Sequence, residues 1–181
     1  MNLKRIPGEI QNPLFGQIDL KNCVISIQDG AANEIEIKIG EGNLTYTEAR
    51  NIEYTLDRGV LDEVREGDQI PVDVSFDFTW EYLRGPSSGS TAVGGTPTIE
   101  DALKQRGAAA HWTSTDSDTC RPYAVDIEVV RTPSPAACGD AETYLLQDFR
   151  WENVDHDLRD GSCSVSGKCN VTEATITRTA Q

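Results

Sequence analysis

Apolar and polar residues alternate with a period of two along most of the chain, in short bursts separated by turn residues. Cys23, Ile25 and Ile27 alternate up to Asp29-Gly30, a turn signal. Ile35, Ile37 and Ile39 alternate with Glu34, Glu36 and Lys38, and Leu44 with Tyr46 and then Ile52, Tyr54 and Leu56 continue the pattern. The clearest burst sets Val72, Val74, Phe76, Phe78, Trp80 and Tyr82 against Asp73, Ser75, Asp77, Thr79 and Glu81. Tyr123, Val125, Ile127 and Val129 repeat it, followed by Tyr144–Arg150 and a C-terminal pair near Ser162–Val165 and Cys169–Thr177. Such alternation predicts strands with one buried and one wet face, the mark of an antiparallel sheet.

One segment breaks the rule. Ile99, Ala102, Leu103 and Arg106 share a stripe at helical spacing, with Thr98 and Asp101 placed as an acidic capping box and Gly107 as the stop. A short amphipathic helix over Ile99–Arg106 is predicted, covering a side or end of the sheet. Residues 85–96, rich in Gly and Ser, predict a flexible connection. Residues 57–69 are highly charged yet contain Val60, Leu61 and Val64; they read as a long loop, or as a docking hairpin with apolar residues inside a charged rim. Residues 1–17 carry scattered large apolar side chains between Pro7, Gly8, Pro13 and Gly16, without period, and read as an arm that packs against something. The expectation is a mainly β domain over 18–181, preceded by that arm.

A length of 181 residues suits one domain that needs no metal or disulfide to fold. Thirty acids against sixteen Lys plus Arg give a net charge of −14. That sign opposes gripping nucleic acid by its phosphates or adhering to anionic membranes. No apolar run reaches the roughly 20 residues that span a bilayer. Met1–Ile10 lacks the apolar core of a secretory leader, so the five cysteines are expected to be thiols in a reducing compartment. If Gly167 belongs to a tight turn, Cys163 and Cys169 lie near each other across a hairpin, where a zinc or a disulfide would be the use for them; the ordinary reading is small core residues.

Catalytic constellations are missing. His111 and His156 are the only histidines, and Asp155, His156 and Asp157, as neighbours on a strand, point to opposite faces rather than at one ion. No nucleophile elbow, Walker loop or zinc-protease motif is present. Neither an enzyme nor a cofactor is expected.

The informative feature is acid on the polar faces of strands: Asp73, Asp77 and Glu81 on one, Asp126 and Glu128 on another. Like charges side by side on a sheet cost stability. Solubility is the ordinary reason to tolerate them. The alternative is a wall that repels phosphates and lets DNA pass, which requires several copies to enclose a channel.

The order of these features, from Gly40 through Tyr54 and Gly59, along Val60–Gln69 and into the strand Val72–Tyr82 with one short helix after it, resembles the phage tail tube protein family, which includes the related tube of type VI secretion. That resemblance covers roughly residues 18–177. It implies an antiparallel β-sandwich or half-barrel with one short flanking helix, tail-tube-like, assembling as hexameric rings stacked into a tube in the virion tail, made in the host bacterial cytoplasm. The implied partners are further copies of the chain, a tape-measure protein and a sheath protein, with DNA passing without specific binding and no membrane. By position, Asp73, Asp77 and Glu81 would line the lumen, with Asp126 and Glu128 second. Asp57, Arg58, Val60, Leu61, Val64 and Arg65 would form the ring-stacking loop. Leu3, Ile6, Ile10, Leu14 and Phe15 would form the inter-subunit arm. The long 85–96 loop and the Cys-bearing C-terminal half depart from the family pattern. Two alternatives stand beside it: another ring-forming virion component such as a terminator or connector, and a carbohydrate-binding or adhesion sandwich using Trp80, Trp112 and Trp151 as a stacking platform.

Overall fold

The computed structural model describes residues 23–37, 43–79, 97–132 and 141–179. Ten strands and one α-helix follow in the order β1 (Cys23–Gln28), β2 (Glu34–Ile37), β3 (Leu44–Thr47), β4 (Ile52–Asp57), β5 (Val60–Glu66), β6 (Asp73–Thr79), α1 (Ile99–Lys104), β7 (Val125–Arg131), β8 (Ala141–Asp157), β9 (Ser162–Cys169) and β10 (Thr175–Thr179). All pairings are antiparallel. The main sheet runs β2-β1-β7-β8-β9-β6-β3, with β10 also on β8; among the described residues β4 and β5 pair only with each other. The protein is thus a mainly β, sandwich-like fold with one short helix.

β8 joins two halves of the sheet. Its first part pairs with β7 on one edge and β10 on the other, and its second part, Phe149–Asp157, pairs with β9. One irregularity lies between these parts and a second near the start of the latter. At the first, Asp148 adopts φ 54°, held by its N–H on Asp126 Oδ1 (2.8 Å) and by the Thr115 hydroxyl on its carboxylate (2.9 Å). At the second, the register slips between Trp151 and Asn153. Extra residues at such bulges bend a strand, and both halves contribute to one apolar core. Ile27, Ile127, Leu146 and Phe149 come from one half, Val74, Phe76 and Val165 from the other, and the Phe76 and Phe149 rings meet at 6.0 Å.

Gly167 sits opposite the second bulge, inside β9. A Cβ there would overlap the Arg150 carbonyl oxygen and lie 2.8 Å from Trp151 Cα. Its role is therefore close backbone approach, not the tight turn the sequence suggested. Cys163 and Cys169 consequently share the buried face of a single strand, six residues or roughly 20 Å apart, and do not meet across a hairpin.

The expectation of a loop over 57–69 is also corrected: Val60–Glu66 is strand, and the turn is confined to Arg58-Gly59. Arg58 (φ 51°) and Gly59 (φ 82°) both lie in the left-handed region, the combination a two-residue hairpin turn demands. The charges between Val60, Leu61 and Val64 obscured the strand because no face of this hairpin is buried. α1 begins where its capping box places it, with Asp101 N donating to Thr98 Oγ1 at 3.0 Å and Thr98 N to Asp101 Oδ2 at 3.4 Å. It ends two residues short of Arg106. Gln105 takes the left-handed cap (φ 48°) and its side chain donates to the Trp112 carbonyl at 2.7 Å.

Candidate functional site

Two exposed surfaces stand out from the residues upward. The first is the polar face of the half-sheet formed by the second part of β8 with β9, β6 and β3. The register aligns its side chains in rows: Asn153, Ser166, Ser75 and Thr45 form one. Asp155, Ser164 and Asp77 form the next, and Asp157, Ser162 and Thr79 the one beyond it. At the opposite end lie Arg150, Lys168, Asp73 and Thr47. Ser164 Oγ donates to Asp77 at 2.5 Å, Asn153 Nδ2 to Asp155 at 2.8 Å, and Lys168 Nζ lies 3.7 Å from Asp73. Arg150 is turned to the buried Asp116 carboxylate at 2.6 Å and to the Pro122 carbonyl at 3.0 Å. The face is left with small, oxygen-rich side chains and an excess of carboxylates.

Asp73 and Asp77 of the five acids selected from sequence lie on this face. Glu81 lies outside the described residues, as do the arm positions Leu3, Ile6, Ile10, Leu14 and Phe15. Asp126 and Glu128 sit on β7 in the other half-sheet, and each is partly buried and engaged within the subunit. Asp126 accepts the Asp148 N–H, and burial pushes its carboxyl above the ordinary value despite that bond. Glu128 accepts from Gln28 Nε2 at 2.5 Å. Asp155 and Asp157 were missed as face residues, although their alternation with Val154 and His156 was the available signal.

Two edges of this half-sheet are open among the described residues. Among the described residues no strand pairs with the outer edge of β3, or with the β7-side edge of β8 beyond Phe149. Unpaired strand edges are templates for another chain.

The second surface is the β4–β5 hairpin. Ile52, Tyr54, Leu56, Leu61 and Val64 occupy one of its sides by register, all exposed, with Leu61 58% accessible. Its other side carries Glu53 bonded to Arg65 at 2.9 Å, and Arg50 at the root pairs with Glu66 at 3.4 Å. Asp57, Arg58 and Val60 are exposed at the tip.

Elsewhere the polar clusters serve the fold. Glu100 on α1 joins Lys104 (2.7 Å), Arg106 (2.6 Å) and His156 Nε2 (3.6 Å). Burial alone would raise its carboxyl, but the Lys104 hydrogen bond and the charges of Lys104 and Arg106 hold it below the usual range. His156 Nδ1 contacts the buried Cys163 Sγ at 3.0 Å, while Asp155 and Asp157 face the other way. The Cys169 thiol is pushed up to about 12, by burial first and by the Asp126 and Asp148 carboxylates next, and is not a nucleophile. Among the described residues no group of three His, Cys, Asp or Glu is placed to hold a metal ion, and no helix is long and apolar enough to cross a membrane. Of the three tryptophans, Trp112 is 3% exposed, Trp151 is 40% exposed with Lys104 Nζ over its ring at 5.3 Å, and Trp80 lies outside the described residues.

No protein-family model matches the sequence, and no curated protein matches it. Among solved structures, a chain of the sheath–tube complex of an extracellular contractile injection system, in the extended state, superposes with a TM-score of 0.50 at 9% identity, covering 95% of this chain and 99% of that one. The sheath/tube terminator of that type of system gives 0.49 at 10% identity, over 91% and 99%. The tube-terminating cap of the anti-feeding prophage gives 0.47 at 8% identity, over 92% and 94%. At such identity the first likeness shows a shared fold.

Proposed function

We propose that this protein is the structural subunit of a tail-like tube, in which copies close into stacked rings around a bore lined by the β8–β9–β6–β3 face. The observation that carries the proposal is one half-sheet whose two flanking edges are unpaired among the described residues, with a small-residue, acidic surface between them. Pairing β3 of one copy with the second part of β8 of the next satisfies both edges in a head-to-tail contact that closes. Six copies of four strands give about 24 strands; at about 4.8 Å spacing and a tilt of about 40°, the backbone ring is roughly 50 Å across. Ser, Thr, Asn and Asp side chains keep such a bore wide. Its carboxylates keep a polyanion such as DNA from adhering during passage. The hairpin, apolar on one side and paired with no other strand among the described residues, meets the adjacent ring. The fold shared with a chain of a sheath–tube complex supports the same reading, with a sheath and a tape-measure protein as further partners.

The test is sedimentation velocity and negative-stain microscopy of the concentrated protein, alone and with its tail partners. Rings or tubes with an open centre are expected. A species that stays monomeric under all of these conditions refutes the proposal. A terminator would instead form one ring per particle, so copy number by quantitative mass spectrometry separates the two: a tube subunit is present many times over.

A further inference from the structure

The two ends of β9 are unlike. Before Ser162 the chain turns through residues 158–161, where Leu158 is 78% exposed and Arg159 makes no ion pair among the described residues. Beyond Cys169, about 23 Å further along the strand, lies a groove of about 560 Å³ lined by Gln69, Pro71, Val171 and Glu173, among others. A smaller hollow of about 80 Å³ continues it towards the hairpin root, past Asp68 and Glu173. Pro71 and Val171 offer apolar contact, and Asp68 and Glu173 are exposed carboxylates at the rim.

We propose that the β8–β9 turn of one copy seats in this groove of a second copy, with Leu158 over Pro71 and Val171 and Arg159 among Asp68 and Glu173. This rests on the stacked-ring reading above and names the contact between successive rings. Three observations support it. The protruding element carries an apolar tip and a cation, and the groove carries apolar walls and carboxylates. The groove's volume falls in the range of ordinary binding clefts and has room for the tip of a turn. The two elements lie at opposite ends of the same strand, so the contact joins unlike surfaces, does not close on itself, and repeats along the strand direction. The hairpin is rooted beside the same groove, which brings its apolar side to the same neighbour.

The test uses the full chain under conditions in which the wild-type protein stacks. Leu158→Asp, Arg159→Glu and Glu173→Arg should each reduce stacked species at least tenfold in sedimentation velocity, with the monomer's melting temperature unchanged because all three positions are exposed. Combining Arg159→Glu with Glu173→Arg in one chain should restore stacking, as should mixing the two single variants. Normal stacking of Leu158→Asp, or absence of rescue in the double variant and the mixture, overturns the contact while leaving the tube reading intact. Wild-type protein that never leaves the monomer overturns the tube reading and this contact with it.

Discussion

Leu61→Asp on the β4–β5 hairpin separates folding from assembly. Leu61 is 58% exposed and, among the described residues, its strand pairs with β4 alone, so the subunit gains little from it. Full burial of a Leu side chain is worth about 1.5–3 kcal/mol; covering the exposed part in a neighbouring copy therefore gains roughly 1–2 kcal/mol per contact. With six equivalent contacts, one between each pair of facing subunits, a ring junction loses roughly 6–12 kcal/mol, before the cost of desolvating a carboxylate. The isolated subunit should change by no more than about 0.5 kcal/mol, or roughly 2 °C in melting temperature. Sedimentation velocity reads the loss at the ring junction, and differential scanning fluorimetry reads the change in the isolated subunit. A variant that stacks like the wild type removes the hairpin from the ring junction. A melting temperature lowered by more than roughly 5 °C would place Leu61 in the subunit's own core.

Gly167→Ala forces a Cβ onto the Arg150 carbonyl, a backbone atom that does not yield cheaply, and should cost about 3 kcal/mol, roughly 6–12 °C in a thermal melt; an unchanged melt contradicts the close approach at the β8 bulge. Thr98→Ala removes one partner of the capping box and should cost about 1 kcal/mol, read as faster amide exchange across Ile99–Lys104, and unaltered exchange there counts against the cap. Asp29 is held below its ordinary pKa because hydrogen bonds from the Asn33 side chain and the Thr113, Asn33 and Ala31 amides outweigh its burial. Asp116 is lowered by the Asp118 amide first, then by Arg150 and Arg121, against the opposing effect of burial. Depressed carboxyls stabilise the folded state above the ordinary Asp value of 3.8 and lose that contribution as pH falls through their lowered values, so Asp29→Asn should flatten the acid limb of a stability–pH curve; an acid limb as steep as the wild type's shows that Asp29 is not a source of it. Asp126 has the opposite sign: its carboxyl is raised by burial, so ionisation costs stability as pH rises above 3.8, and Asp126→Asn should leave the melting temperature at pH 7 equal or higher. A clear drop at pH 7 would show that the charged carboxylate is needed.

The strands were legible wherever one face is buried. Val74, Phe76 and Phe78 against Asp73, Ser75 and Asp77 announced β6, and the alternation at Val125, Ile127 and Val129 announced β7, because burial imposes a two-residue period. β5 lacked that period, since both of its faces are wet and a bulge between Thr55 and Leu56 shifts the register. The full length of β8 was hidden by its two irregularities, which break the alternation after Gln147 and after Trp151. Asp73 and Asp77 were readable as face residues from β6 alone. That Asp155 and Asp157 share their face, and that Asp126 and Glu128 do not join them, depends on which strands neighbour one another. That is long-range information a single strand's pattern does not hold.

A cryo-EM reconstruction of the assembled particle is the most direct measurement. The expected map has Asp77, Ser164 and Asp155 facing an open bore, with β3 of each subunit hydrogen-bonded to residues 151–157 of the next. A map in which those three side chains face the outside of the particle, or in which β3 and β8 of adjacent subunits do not pair, contradicts the account.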